Sequence, residues 1–239
     1  MTFLEHLDEL RTRIVRSLVA IALGILVGFF FIDRIGDFLL APARRVLPPG
    51  SRMIYTQPGE AFSFDVQIAL IAGTVLASPF VAYEVWKFIA PGLYANEKRL
   101  AVPFVLLSTL GFIAGALFNH YVVFVWMMAF FASFNTPELQ FLPRLDDVFD
   151  LYTKMLLGMG AVFQLPTIIF FLAKMKLVTW RFLARHFKYA ILIIFIIAAV
   201  ITPSGDMVTQ TIFAAPMIGL YLLGIVIAWL VGPKAGASA

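Results

Sequence analysis

Val208-Thr-Gln-Thr-Ile-Phe-Ala-Ala-Pro-Met-Ile-Gly-Leu-Tyr-Leu-Leu-Gly-Ile-Val-Ile-Ala-Trp-Leu-Val231 runs without one charged side chain. About 20 apolar residues in a helix cross the ~30 Å hydrocarbon core of a bilayer, so this stretch reads as a membrane span. Five others precede it, at about 14–32, 66–89, 100–134, 149–173 and 187–201. The third is too long for an upright helix and should tilt, bend or protrude, with Asn119 and His120 marking where it leaves the hydrocarbon. The fifth is short, which calls for local bilayer thinning or snorkelling flanks such as Arg185 and Lys188. The fold expected is all-α, a single transmembrane domain over residues 1–239 with six spanning helices.

Composition agrees. The 239 residues are 62% hydrophobic and 13% charged, against about 45–50% and about 25% in soluble domains. Without cysteine, disulfides and thiolate metal sites are excluded. The N-terminus opens on a charged stretch, and no small-residue cleavage site closes the first apolar run, which is expected to remain as a span.

Lysine and arginine set the orientation. Arg11, Arg13 and Arg16 precede the first span. Lys87, Lys98 and Arg99 flank the loop after the second. Lys174, Lys176, Arg181, Arg185 and Lys188 lie between the fourth and fifth, and Lys234 follows the sixth. All fall on one side, which the positive-inside rule makes cytoplasmic, together with both termini. The first outer loop is the exception, with Arg34, Arg44, Arg45 and Arg52. Within it, residues 34–40 read as an interfacial amphipathic helix stopped by Pro42, and Pro48-Pro49-Gly50 as a turn. Pro79, Pro103, Pro166 and Pro216 lie in or near spans, where kinked helices can enclose a concave surface. Gly24/Gly28 and Gly111/Gly115 have the spacing that lets helices approach closely.

Motifs for catalysis are missing: no His-Glu-x-x-His, no Gly-x-Ser-x-Gly, no Walker A loop and no aspartate pair in mid-span. His6, His120 and His186 stand far apart without carboxylates at metal-ligand spacing. The expectation is a protein that is not an enzyme and has no cofactor. At depth, Gln164 precedes Leu165-Pro166; its amide either bonds a carbonyl freed by Pro166 or offers a polar point to a partner helix. Gln67 and Lys154 sit near span ends. No line of carboxylates crosses the bilayer, so a proton wire is poorly supported. On the basic inner face, Glu5, Asp8, Glu9, Glu84 and Glu97 are acids that topology does not require. Glu9 stands four residues before Arg13, the spacing of a helical ion pair, and Glu97 suits a helix N-terminus. Both could instead accept guanidinium groups, since a carboxylate pairs bidentately with Arg. Taken alone, the plainer readings are favoured.

Two segments change that weighing: Trp86-Lys-Phe-Ile-Ala-Pro-Gly-Leu-Tyr-Ala-Asn-Glu97-Lys-Arg, and His6-Leu-Asp-Glu9-Leu-Arg11-Thr-Arg13. With Ala41-Pro42, Ser78-Pro79-Phe-Val-Ala-Tyr83, Phe163-Gln164-Leu-Pro166, Thr202-Pro-Ser-Gly-Asp206, Gln210-Thr and Ala215-Pro216, the chain resembles the TatC family of the twin-arginine translocation pathway over nearly its whole length. The resemblance implies a signal-peptide receptor and core subunit that exports folded proteins across the bacterial cytoplasmic membrane. Glu97 matches the loop acid that binds the arginine motif, Phe88 an aromatic contact nearby, and Glu9 and Arg11 the N-terminal part of that site. Pro42 and Asp206 match outer positions linked to complex function. The last two spans match surfaces that dock single-span TatA- and TatB-type subunits. An oligomeric complex in membrane lipid, driven by the proton-motive force and without nucleic acid, is implied. One departure is Gln164, where the family often has glutamate; an amide cannot titrate but can still hydrogen-bond a partner helix. A secondary transporter or small-solute channel is the alternative, with only Gln164 to offer a polar path.

Overall fold

The apolar runs fold as helices because nothing in hydrocarbon can satisfy a backbone N–H or C=O except the helix itself. A computed structural model describes residues 3–47, 53–89, 101–136, 138, 140–202 and 206–232. The described residues form ten α-helices, α1 (Phe3–Phe29), α2 (Ile32–Val46), α3 (Glu60–Ile89), α4 (Ala101–Phe118), α5 (Phe124–Ala132), α6 (Leu145–Val162), α7 (Leu165–Lys174), α8 (Trp180–Arg185), α9 (Phe187–Ile201) and α10 (Met207–Val231), with a π-helical turn at Asn119–Val123. Among them there is no β-strand, only an isolated bridge between Ile54 and Arg144. Among the described residues, five helical stretches are long and apolar enough to cross a membrane: Glu5–Phe29, Glu60–Phe88, Val102–Ala132, Leu145–Lys174 and Met207–Val231. The protein is thus an all-helical polytopic membrane protein. The remaining apolar helix, α9, has 15 residues, about 22 Å at 1.5 Å per residue.

The chain divides into two compact units, residues 1–113 with 142–153, and residues 114–141 with 154–239. In the first, α1 and α3 pack antiparallel along their lengths, and glycine makes this possible. A Cβ on Gly24 would stand 2.7 Å from the Gly73 carbonyl oxygen, and one on Gly73 would stand 2.5 Å from the Ile25 nitrogen. The helices therefore meet backbone to backbone, the close approach that small residues allow in lipid. Gly28 continues the seam against Ala69 and Ala72. The outer face of α1, with Leu18, Val19, Leu23 and Leu26, is exposed and apolar, as a lipid-facing surface should be.

Pro42 does not stop the helix after the first span. α2 runs through it to Val46. The proline forfeits one backbone hydrogen bond, but Leu39, Leu40, Pro42 and Ala43 form a buried face there, and that burial offsets the loss. Beyond α2, residues 53–60 are tied to the start of α6. Ile54 N–H donates to the Pro143 carbonyl at 3.2 Å, and Leu145 N–H donates to the Ile54 carbonyl at 2.8 Å. Glu60, almost fully buried, accepts from Arg144 at 2.6 Å and from the Thr56 amide at 3.1 Å. Hydrogen bonding to Glu60 raises the Arg144 guanidinium above its already high ordinary value, so it stays charged. The turn expected at Pro48-Pro49-Gly50 lies outside the described residues.

In the second unit, Gly115 packs on the backbone of Met159 and Gly160, and Phe118 lies 5.6 Å from Phe163. The long third segment is interrupted by the π turn. Asn119 and His120 sit within that turn and are buried at 0% and 3% exposure. A π turn inserts an extra residue into the helix and reorients the side chains on it, which turns these two inward. Ile169, Ala173, Leu183 and Ala228 form a buried cluster joining α7, α8 and α10. The Tyr221 hydroxyl caps it by donating to the Leu183 carbonyl at 3.0 Å.

Gly24→Leu should force α1 off α3 and cost about 1–3 kcal/mol, the usual range for overpacking. Gly219→Leu, at a position where an added Cβ meets no atom within 4 Å, should not lower the thermal midpoint in detergent. Equal midpoints for both variants would contradict the seam.

Candidate functional site

The antiparallel pairing of α1 and α3 sets the N-terminal half of one beside the C-terminal end of the other. Five charged or aromatic side chains meet there. Arg13 donates through Nη2 to Glu9 Oε1 at 3.0 Å and through Nη1 to Glu84 Oε2 at 2.9 Å. The first contact is the i,i+4 pair anticipated from spacing. The second joins the two helices and was not anticipated, although its signal was present: a carboxylate inside the apolar run 66–89 cannot stay charged when buried unless a cation meets it. Glu84 is 2% exposed. One turn further toward the N-terminus, the His6 ring stacks on Phe88, with centroids 4.5 Å apart and planes inclined by 18°.

Of the residues singled out for an arginine-bearing ligand, this corner brings together Glu9 on α1 and Phe88 on α3. Arg11 lies on the same part of α1, exposed, and makes no ion pair with another described residue. Glu97 lies outside the described residues. Lys87 rests over the Tyr83 ring at 4.5 Å, so this cation is turned along α3. Trp86, buried, packs on Phe104 of α4 at 5.2 Å and anchors the end of α3.

The other candidates fall into local structural roles. Pro42 is buried in α2. Asp206 is the N-cap of α10: Oδ1 accepts from the Thr209 amide at 2.8 Å, and Oδ2 accepts from the Thr209 hydroxyl at 2.6 Å. A turn on, Gln210 donates from Nε2 to the Phe195 carbonyl at 2.8 Å, fastening α10 to α9. Gln164 sits at the break between α6 and α7. Its backbone N–H turns to the Ala161 carbonyl at 3.0 Å, which releases the Gly160 carbonyl, and its side-chain amide donates to that oxygen at 3.4 Å. The amide thus repairs the helix, as one of its two readings anticipated, but at Gly160 and not at the carbonyl Pro166 would free. Among the described residues no group of three or more His, Asp or Glu side chains is placed to hold a metal ion.

Comparison with known proteins gives a consistent result. The family model described as "Sec-independent protein translocase protein (TatC)" matches residues 5–216. Relatives of that name include one from Koribacter versatilis, 42% identical over 98% of this chain and 87% of its own length. Another, from Desulforapulum autotrophicum, is 41% identical over 97% of this chain and 86% of its own. A crystal structure titled "Twin Arginine Translocase Receptor- TatC" superposes with a TM-score of 0.83 at 33% identity, covering 95% of this chain and 99% of that one.

The capping geometry at Asp206 yields a discriminating substitution. Asp206→Ala should cost about 1 kcal/mol through loss of the N-cap, whereas Asp206→Asn, an equally good cap, should cost little. Thermal melts of both variants in detergent check this; an Asn variant as unstable as the Ala variant would mean that the charge matters, not the cap.

Proposed function

The chain belongs to the TatC family of Sec-independent protein translocase proteins, and on that premise we propose that it is the receptor for twin-arginine signal peptides and the core on which the export complex assembles. The family is a component of a membrane transport machine and not a catalyst. The observation that supports receptor function is the meeting of Glu9 and Phe88 at one corner, where α1 and α3 are locked by the Arg13–Glu84 bridge and the His6–Phe88 stack.

The chemistry fits such a ligand. Two consecutive arginines near a basic membrane face need carboxylates in direct contact, because screening removes attraction beyond roughly 10 Å. Glu9 supplies one from α1, and Glu97 supplies the second from the loop that follows α3. Phe88 packs the apolar residue after the arginines or lies against a guanidinium face. Arg11 positions the N-terminal part of the site.

Both termini and the α3–α4 loop lie in the cytoplasm on this reading, which the Lys and Arg distribution supports. Six spans follow if α9 crosses as a short helix with Arg185 and Lys188 snorkelling at its start. The exposed apolar stripe of α9, Leu192, Ile193, Ile196 and Val200, suits docking of single-span TatA- and TatB-type helices beside α10. Gln164, Pro42 and Asp206 contribute to the assembled translocase by holding α7, α2 and α10 in place. The proton-motive force drives transport in the complex.

Binding of a labelled twin-arginine peptide to the purified protein in detergent tests the receptor assignment. Glu97→Ala and Glu97→Gln should each weaken it at least about tenfold, the loss of a charge-assisted hydrogen bond worth about 1.5–3 kcal/mol. A Lys-Lys peptide should also bind worse, because an ammonium cannot form the bidentate fork. Binding that is indifferent to both changes would refute the assignment.

A further inference from the structure

At the α1–α3 corner two carboxylates share one guanidinium. Arg13 spends Nη2 on Glu9 and Nη1 on Glu84, so the trio keeps one uncompensated negative charge. The leftover capacity is localised: Glu9 Oε2 is buried and has no hydrogen-bond partner among the described residues, and Arg13 Nε is likewise idle. An Arg four residues after a Glu can close on it side-on, using Nε and Nη2 against both carboxylate oxygens. Here it does not, because the Nη1 corner is held by Glu84 on the neighbouring helix.

We propose that Glu84 is a positioning residue for arginine recognition: by drawing Arg13 away from Glu9, it leaves Glu9 Oε2 unpaired and the Glu9 carboxylate, 16% exposed, short of the cation that an incoming guanidinium brings. This rests on the receptor reading above and adds a residue that the family resemblance did not supply. Glu84 does not touch the ligand, being almost wholly buried. Its effect passes through the charge count. With Glu84 present, two acids face one resident cation and a ligand arginine completes the balance. With Glu84 neutral, Arg13 and Glu9 neutralise one another, and the resident arginine occupies the place that the ligand needs. Arg13 therefore acts as a built-in competitor that Glu84 holds off.

The charge argument and a purely structural role predict opposite outcomes for a double variant. Glu84→Gln should weaken Arg-Arg peptide binding about tenfold, as expected when a charge-assisted acceptor is lost. Glu84→Gln combined with Arg13→Gln removes the bridge entirely but frees Glu9 again, and should restore affinity to within about threefold of the unmodified protein. If Glu84 served only to hold α1 against α3, the double variant would bind no better than the single one. Glu84→Gln is isosteric and leaves Arg13 paired with Glu9, whereas the double variant leaves Glu9, 16% exposed, without its cation. A helical circular-dichroism spectrum and an unchanged elution volume in detergent for both variants establish that each folds before binding is compared. Unchanged binding in Glu84→Gln, or a double variant as weak as the single, overturns the proposal while leaving the receptor reading intact. A failure of the unmodified protein to bind the Arg-Arg peptide overturns both.

Discussion

A backbone amide in hydrocarbon has no partner outside its own helix, and the rest of this structure follows from that constraint. It explains why the chain is helical wherever it is apolar, and why each departure from regular helix carries a local repair. At the break between α6 and α7, the Gln164 amide takes the carbonyl that its own backbone releases. At the start of α10, Asp206 satisfies the Thr209 amide. At Pro42 the lost bond is offset by a buried face. The same solvent removes the hydrophobic drive for helices to associate, so association depends on close backbone approach. Gly24 against Gly73, and Gly115 against Met159 and Gly160, provide it.

Charge obeys a related rule. Burying a carboxylate costs several kcal/mol unless a cation meets it. Glu60 meets Arg144, and Glu84 meets Arg13. The two arrangements differ in their completeness. Glu60 accepts from Arg144, from the Thr56 hydroxyl and from two backbone amides, and its neighbourhood serves to pin residues 53–60 to the start of α6. At the α1–α3 corner, one arginine is divided between two acids and an acceptor is left over. Arg144 is likewise divided, between Glu60 and, at 4.0 Å, Asp147, but Glu60 has both oxygens engaged, whereas Glu9 Oε2 at the α1–α3 corner has no hydrogen-bond partner among the described residues. That leftover acceptor is what suits the corner to the cationic ligand proposed for it.

Much of this was legible from residue order. Helix lies along each of the apolar runs, although α1 begins well before residue 14 and the runs 100–134 and 149–173 are each broken. α9 spans 187–201, because a charge-poor run flanked by cations and by Thr-Pro has little freedom in where it stops. Glu9 and Arg13 were readable as a pair because i,i+4 contacts are local. Partners brought together by tertiary packing were not readable: Glu84 with Arg13 and His6 with Phe88 depend on the register of α1 against α3, which glycine contacts far along the helices determine. The π turn escaped notice since Asn119 and His120 look polar in sequence, and only packing decides that they turn inward. Pro42 misled because propensity counts the lost hydrogen bond and not the buried face around it.

The central claim is that the arginine motif lodges between Glu9 of α1 and Phe88 of α3. The chain has no cysteine, so single cysteines can report proximity without background. The most direct measurement is disulfide formation between a peptide carrying a cysteine beside its two arginines and the variants Asp8→Cys, Lys87→Cys and Asp37→Cys. The account predicts cross-links at the first two positions, suppressed by excess unlabelled Arg-Arg peptide, and none at the third. Cross-linking at Asp37→Cys alone, or equally at all three, would contradict it.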